Sequence, residues 1–208
     1  MKDKVRVGIV GSKFAASFHA DSYSRNNYAE VVAAAAIDNL ETFSSEWNIP
    51  DTYEDYNEMF KREDIDLVSV CVPNFLHHDI VIAAAEAGKQ IICEKPLATN
   101  SADAKAMHEA CEKHGVMLLY AEDWVFCPAL RRIEAIREEG GLGEILYVKA
   151  KECHNGTHSP YAQDREKCGG GCLIHLAIHP IGWVLHLLGR KGQNKVVEVS
   201  GHVNGGGK

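Results

Sequence analysis

Short apolar runs alternate with stretches of helix-forming residues through the first part of the chain. Val5–Val10 stops at Gly11 and reads as a buried strand, and Val31–Ile37, Leu67–Val72, Ile91–Cys93 and Val116–Ala121 repeat the pattern. Between them, Phe14–Tyr23, Leu40–Trp47, Asp79–Ala87 and Ala102–His114 carry helix formers. Gly88 and Gly115 supply stops, and Ser101 an N-cap. This alternation predicts an α/β fold, a doubly wound parallel sheet with helices on both faces.

Near residue 123 the texture changes, which predicts two domains, 1–123 and 124–208. Pro128–Glu139 reads as a helix broken by Gly140-Gly141. Ile145–Lys151 reads as a strand, 152–168 as a polar loop, Leu173–Leu188 as one apolar helix and Val196–Val203 as a last strand. Two strands are too few for a stable sheet, so the second domain is expected to be incomplete and to lean on further chain or a second subunit. The first domain is expected to fold and hold its ligand without it.

Composition narrows the function. The 208 residues carry 22 basic and 29 acidic side chains, a formal charge of −7, with 46% hydrophobic residues. That is a globular composition, and its acidic balance argues against a nucleic-acid partner. No apolar run is long enough to span a bilayer, so no membrane role is expected. Seven scattered cysteines read as reduced thiols in the cytoplasm.

The turn after the first strand is Gly11-Ser12-Lys13-Phe14-Ala15-Ala16. Set on a G-x-G-x-x-G/A nucleotide fingerprint, Gly11 permits the tight turn and Ala16 the close helix–strand approach. Lys13 replaces the glycine that lets the backbone near a pyrophosphate. Its side chain either points outward or sits against a phosphate. Asp38, read as the end of the second strand, suits an adenosine ribose hydroxyl and repels a 2′-phosphate, which favours NAD over NADP. A helix-capping aspartate is the plainer alternative.

Residues 73–98 read PNFLHHDIVIAAAEAGKQIICEKPLA. Pro73-Asn74 with His77, then Ala87-Gly88-Lys89, then Glu94-Lys95-Pro96-Leu97-Ala98 resemble the signature of the glucose–fructose oxidoreductase/inositol dehydrogenase (Gfo/Idh/MocA) family. Ala16 with His19, and Gly141-Leu142-Gly143-Glu144-Ile145, fit it too. The resemblance implies a Rossmann domain followed by an α+β domain with a largely antiparallel sheet, which commonly packs against another subunit as a homo-oligomer. It implies a nicotinamide cofactor and oxidation or reduction of a sugar or polyol hydroxyl. Gly11, Ser12, Lys13, Phe14, Ala15, Asp38, Pro73, Asn74, His77, Glu94 and Lys95 would then lie around the cofactor, with Lys95 facing substrate. The chemistry agrees: a lysine stabilises the alkoxide that develops as hydride leaves, and Glu94 can hold its ammonium.

The second half of that signature is altered. Here it runs Gly169-Gly170-Gly171-Cys172-Leu173-Ile174-His175-Leu176-Ala177-Ile178-His179-Pro180-Ile181-Gly182. By the resemblance His179 is the catalytic base, but His175 and Gly182 replace the family's aspartates, so the acid that would orient His179 is missing. On one helix His175 and His179 would share a face. With His154 and His158 they either line a sugar pocket, hold a divalent metal or serve as structural side chains. The sugar pocket is the reading taken, with no tightly held metal expected and His175 supporting catalysis. Glu122 and Trp124, at the end of the last Rossmann strand, are substrate-side candidates, with a domain-junction packing role the alternative for Trp124. The chain is thus read as an NAD-dependent oxidoreductase of a sugar, glycoside or cyclitol hydroxyl. The alternatives are a silent sugar- or nucleotide-binding regulator, or an enzyme that retains NAD and oxidises a sugar transiently to cleave a glycoside.

Overall fold

The computed structural model describes residues 4–153, 155–157, 159–189 and 195–202. In chain order the elements are β1 (Val5–Val10), α1 (Phe14–Ser24), β2 (Ala29–Ala35), α2 (Leu40–Trp47), β3 (Asp51–Tyr53), α3 (Tyr56–Phe60), β4 (Leu67–Val70), α4 (His77–Glu86), β5 (Gln90–Glu94), α5 (Ser101–His114) and β6 (Leu118–Ala121). Then follow α6 (Pro128–Glu138), α7 (Arg165–Cys168), α8 (Cys172–His175) and α9 (Ile178–Gly189). The six strands form one sheet in the order β3-β2-β1-β4-β5-β6, and every pairing is parallel. The order reverses between β1 and β4, and at such a switch point the carboxyl ends of the strands open a crevice for a ligand.

Alternation along β1 builds both layers of the core. Val7 and Ile9 pack with Ala16 and Ala20 of α1 and Phe43 of α2. Val10 joins Val68 and Val70 of β4 and Val81, Ala84 and Met107 of α4 and α5 on the other face. Both faces are covered, which is why the strands read as continuous apolar runs.

Some elements differ from the sequence reading. β3 and α3, at three and five residues, are too short to show a periodicity. β2 stops at Ala35, so Asp38 lies in the following turn and Ile37 is exposed. Ile145–Lys151 and the described part of Val196–Val203 form no strand. Leu146, Tyr147, Val197 and Val199 are more than four-fifths exposed: strand propensity alone does not hold an extended segment that finds no partner backbone. The sheet through which association was expected is therefore not formed among the described residues.

The chain divides into two compact units, Met1–Glu122 with Cys153–Ile178, and Asp123–Glu152 with His179–Lys208. This differs from a single break at 123, because Cys153–Ile178 returns to the first unit. Asn74 ties this segment to the first unit. Its Nδ2 donates to the Cys168 carbonyl at 2.9 Å, and its Oδ1 accepts from the Tyr161 hydroxyl at 3.2 Å. In the second unit Glu134 of α6 is buried between Arg131 Nη1, at 2.6 Å, and His186 Nε2 of α9, at 3.2 Å. No single helix among the described residues is long and apolar enough to cross a membrane.

Gly11 is fixed by geometry. Its φ is +116°, and a Cβ there would lie 2.2 Å from the Cys71 carbonyl oxygen. Gly11→Ala is expected to cost at least about 3 kcal/mol of stability, combining backbone strain with a clash against rigid backbone. A thermal melt within a degree or two of wild type would contradict it.

Candidate functional site

The turn between β1 and α1 is tied to the turn after β2. Ser12 Oγ donates to the Asp38 carbonyl at 2.6 Å, and Asn39 Nδ2 donates to the Ser12 carbonyl at 2.9 Å. Lys13 Nζ lies 2.6 Å from Asp38 Oδ2, so its side chain turns toward the carboxylate that follows β2. Phe14 is exposed and meets Phe18 edge-on, while Ala15 is half-buried. Lys13, the residue before α1, has extended backbone angles and makes no side-chain capping bond. The first backbone N–H groups of a helix have no partner within it, which is the arrangement that takes a phosphate. The missing Cβ at Gly11, the helix start and the half-exposed Asp38 fit a dinucleotide.

Across the switch point, the loop after β4 carries Pro73, Asn74 and His77. Pro73 leads into a 3₁₀ turn, Asn74–Leu76. Two of these residues serve differently from the sequence reading. The Asn74 amide is spent on Tyr161 and Cys168 and is 2% exposed. The His77 ring is fully buried, with Nδ1 2.9 Å from the Pro96 carbonyl and Nε2 2.9 Å from the Val72 carbonyl. Neither side chain is open to a cofactor. His77 instead ties the loop after β4 to the loop after β5, and burial holds its pKa below the ordinary histidine value.

Lys95 follows the last residue of β5. The sequence reading has Glu94 grip the Lys95 ammonium, but Glu94 Oε2 accepts the Lys95 backbone N–H at 2.9 Å. Lys95 Nζ reaches the His175 carbonyl at 3.4 Å, a long bond. The ammonium is thus presented by a fixed backbone and only lightly held at its tip. The His175 ring lies edge-on to Tyr161, with centroids 6.5 Å apart, and burial raises the Tyr161 pKa. Glu122, just past β6, is buried.

His179 sits in the second unit, 6% exposed. Its Nδ1 is 3.2 Å from Asp123 Oδ1, and the Trp124 ring stacks on it at 5.9 Å and 14°. Asp123 thus places a carboxylate beside His179, where the altered signature has none. Fifty-odd residues separate the two in sequence, so no local motif could reveal it. Trp124 packs on the histidine. The shared His175/His179 face is not formed, because α8 ends at His175 and α9 starts at Ile178. Pro180 has no N–H to return to the Leu176 carbonyl, so one helix cannot run through. That removes the geometry on which a metal-binding histidine pair rested. His154 and His158 lie outside the described residues. Tyr161 and His19 went unseen as site residues, Tyr161 because it falls in a polar loop without periodicity.

A parallel sheet whose strand order reverses beside a glycine turn, with an aspartate past β2 and a lysine past β5, has the form of a dinucleotide-binding fold. Residues 5–122 match the family model described as "Oxidoreductase family, NAD-binding Rossmann fold". Residues 130–206 match the GFO/IDH/MocA C-terminal domain. The chain belongs to the Gfo/Idh/MocA family.

It is 28% identical over 200 residues to levoglucosan dehydrogenase of Pseudarthrobacter phenanthrenivorans, covering 89% of this chain and 51% of that protein. It is 27% identical over 176 residues to trans-1,2-dihydrobenzene-1,2-diol dehydrogenase of Mus musculus, covering 85% and 53%. It is 32% identical over 169 residues to 2,7-anhydro-N-acetylneuraminate hydratase of Mediterraneibacter gnavus, covering 77% and 43%. The solved structure of levoglucosan dehydrogenase with NADH superposes with a TM-score of 0.80 at 27% identity, over 89% of this chain and 54% of that one. The chain spans about half the length of the curated relatives it matches.

Proposed function

We propose that this chain carries the nucleotide-binding and lysine-bearing part of an NAD-dependent oxidoreductase acting on a hydroxyl of a sugar, glycoside or cyclitol. The observation that carries the reading is Lys95, fixed through its backbone N–H by Glu94 at the carboxyl end of β5, beside the switch point. Bound NAD would supply the hydride acceptor. Ser12, Lys13, Phe14 and Ala15 would take the phosphates at the start of α1, and Asp38 the adenosine ribose. The Lys95 ammonium polarises the hydroxyl oxygen and stabilises it as its proton leaves. The family resemblance makes His179, whose Nδ1 faces Asp123 within the second unit, the residue proposed to take that proton. The dehydrogenases of levoglucosan and of a cyclic diol among the relatives support the substrate class. The buried thiols of Cys71, Cys93, Cys111 and Cys168 support a reducing, cytosolic setting. Association of copies through the second domain completes the reading.

The relative named a hydratase favours a second reading, in which the nicotinamide is reduced and reoxidised within one turnover. A screen of sugars and cyclitols with NAD, following nicotinamide absorbance, separates the two. Released NADH supports the dehydrogenase, and product without released NADH the second reading. Bound NAD with no product from any polyol favours a regulator.

NADH is expected to bind at least about tenfold more tightly than NADPH, because Asp38 opposes a 2′-phosphate. Lys13→Ala should widen the gap by removing the charge that partly offsets Asp38. Equal affinities by calorimetry would remove the assignment of Asp38.

A further inference from the structure

Glu94 does two jobs at once. Its Oε2 accepts the Lys95 N–H at 2.9 Å, and its Oε1 lies 3.1 Å from His19 Nε2. Both side chains are mostly shielded, His19 at 14% and Glu94 at 20% exposed. A carboxylate held at only one oxygen turns about its terminal bonds. Held at both, its plane is set, and so is the direction in which it receives the N–H.

His19 is itself braced. It lies on α1 one turn before Tyr23, whose ring meets it edge-on with centroids 6.4 Å apart. The Tyr23 hydroxyl is 2.7 Å from Ser69 Oγ on β4, and Ser69 is fully buried. A continuous path therefore runs from the middle of the sheet through Tyr23 and His19 to Glu94 and the Lys95 backbone. Meanwhile the Lys95 ammonium makes a long bond to the His175 carbonyl. The backbone is the firmer determinant of where that ammonium points.

We infer that His19 is a positioning residue for Lys95: its Nε2–H donates to Glu94 Oε1 and so fixes the carboxylate that holds the Lys95 N–H. This rests on the reading above that Lys95 polarises the substrate hydroxyl. The neutral ring and the imidazolium both donate from Nε2 when that nitrogen carries the proton, so the role needs no titration.

The test uses the full chain with His19→Leu, which removes the donor, and His19→Gln, which keeps an N–H within reach. Two quantities are read: hydrogen exchange of the Lys95 amide, and kcat against KM for NAD on whichever polyol the wild type oxidises. In His19→Leu the amide should exchange at least about tenfold faster. Its kcat should fall about tenfold to a hundredfold, with KM for NAD within about twofold. His19→Gln should recover both to within about threefold of wild type. Wild-type exchange at Lys95 in His19→Leu overturns the inference. So does a Gln variant as impaired as the Leu variant with an equally lowered melting temperature, since that is the mark of a packing role. If the wild type oxidises no polyol, the reading of Lys95 falls, while the exchange rates still decide whether His19 fixes its backbone.

Discussion

Lys95→Ala is expected to lower turnover by about three orders of magnitude while NADH binding stays within about twofold of wild type. The ammonium gains its full interaction only as negative charge builds on the hydroxyl oxygen, so its loss falls on kcat. The backbone N–H that Glu94 accepts remains in the alanine variant, so the loop keeps its anchor. The measurements are steady-state turnover of a substrate polyol and an NADH titration. Turnover within tenfold of wild type would take Lys95 out of the chemistry. A parallel loss of NADH binding would make it a cofactor residue instead.

His179→Ala should cost turnover about two to four orders of magnitude, the scale of a lost general base. Asp123→Asn is the sharper variant. It keeps a polar side chain facing His179 Nδ1 but removes the charge that favours a protonated ring. Turnover should fall about tenfold to a hundredfold, and because loss of the nearby negative charge lowers the histidine pKa, the limb of the kcat profile set by the base should move to lower pH. An Asp123→Asn variant with unchanged rate and profile would show that His179 acts without this partner.

The sheet was legible because burial on both faces forces apolar runs bounded by turn residues, and five of its six strands carry them. β3 was not, since Asp51–Tyr53 offers three residues with one half-buried side chain. Lys95 was legible because Glu-Lys-Pro after a short strand is a local pattern. What the neighbours of Lys95 do was not. Whether Glu94 turns to an ammonium or to a backbone N–H depends on His19, some seventy-five residues away. The same holds for Asp123 and His179. His77 and Asn74 lie in a motif that suggests cofactor contact, yet the partners that occupy them, the Pro96 and Cys168 carbonyls, come from other loops. Local spacing marks which residues gather at strand ends. It does not mark which of them spend their polar groups on each other.

The grip of Asn74 on Tyr161 and Cys168 bears on how this chain can be taken apart. A nucleotide-binding module cut cleanly after β6 would strand a buried amide with both of its partners removed, and would uncover Thr99, against which Gly169 packs within about 3 Å of where a Cβ would stand. A graft that exchanges everything beyond residue 122 for the tail of a relative inherits the same defect unless the incoming tail brings its own Tyr161 and Cys168 equivalents. The cassette that can be moved between relatives is therefore defined by two stretches of sequence, and recombination within this family should succeed where parents match at both.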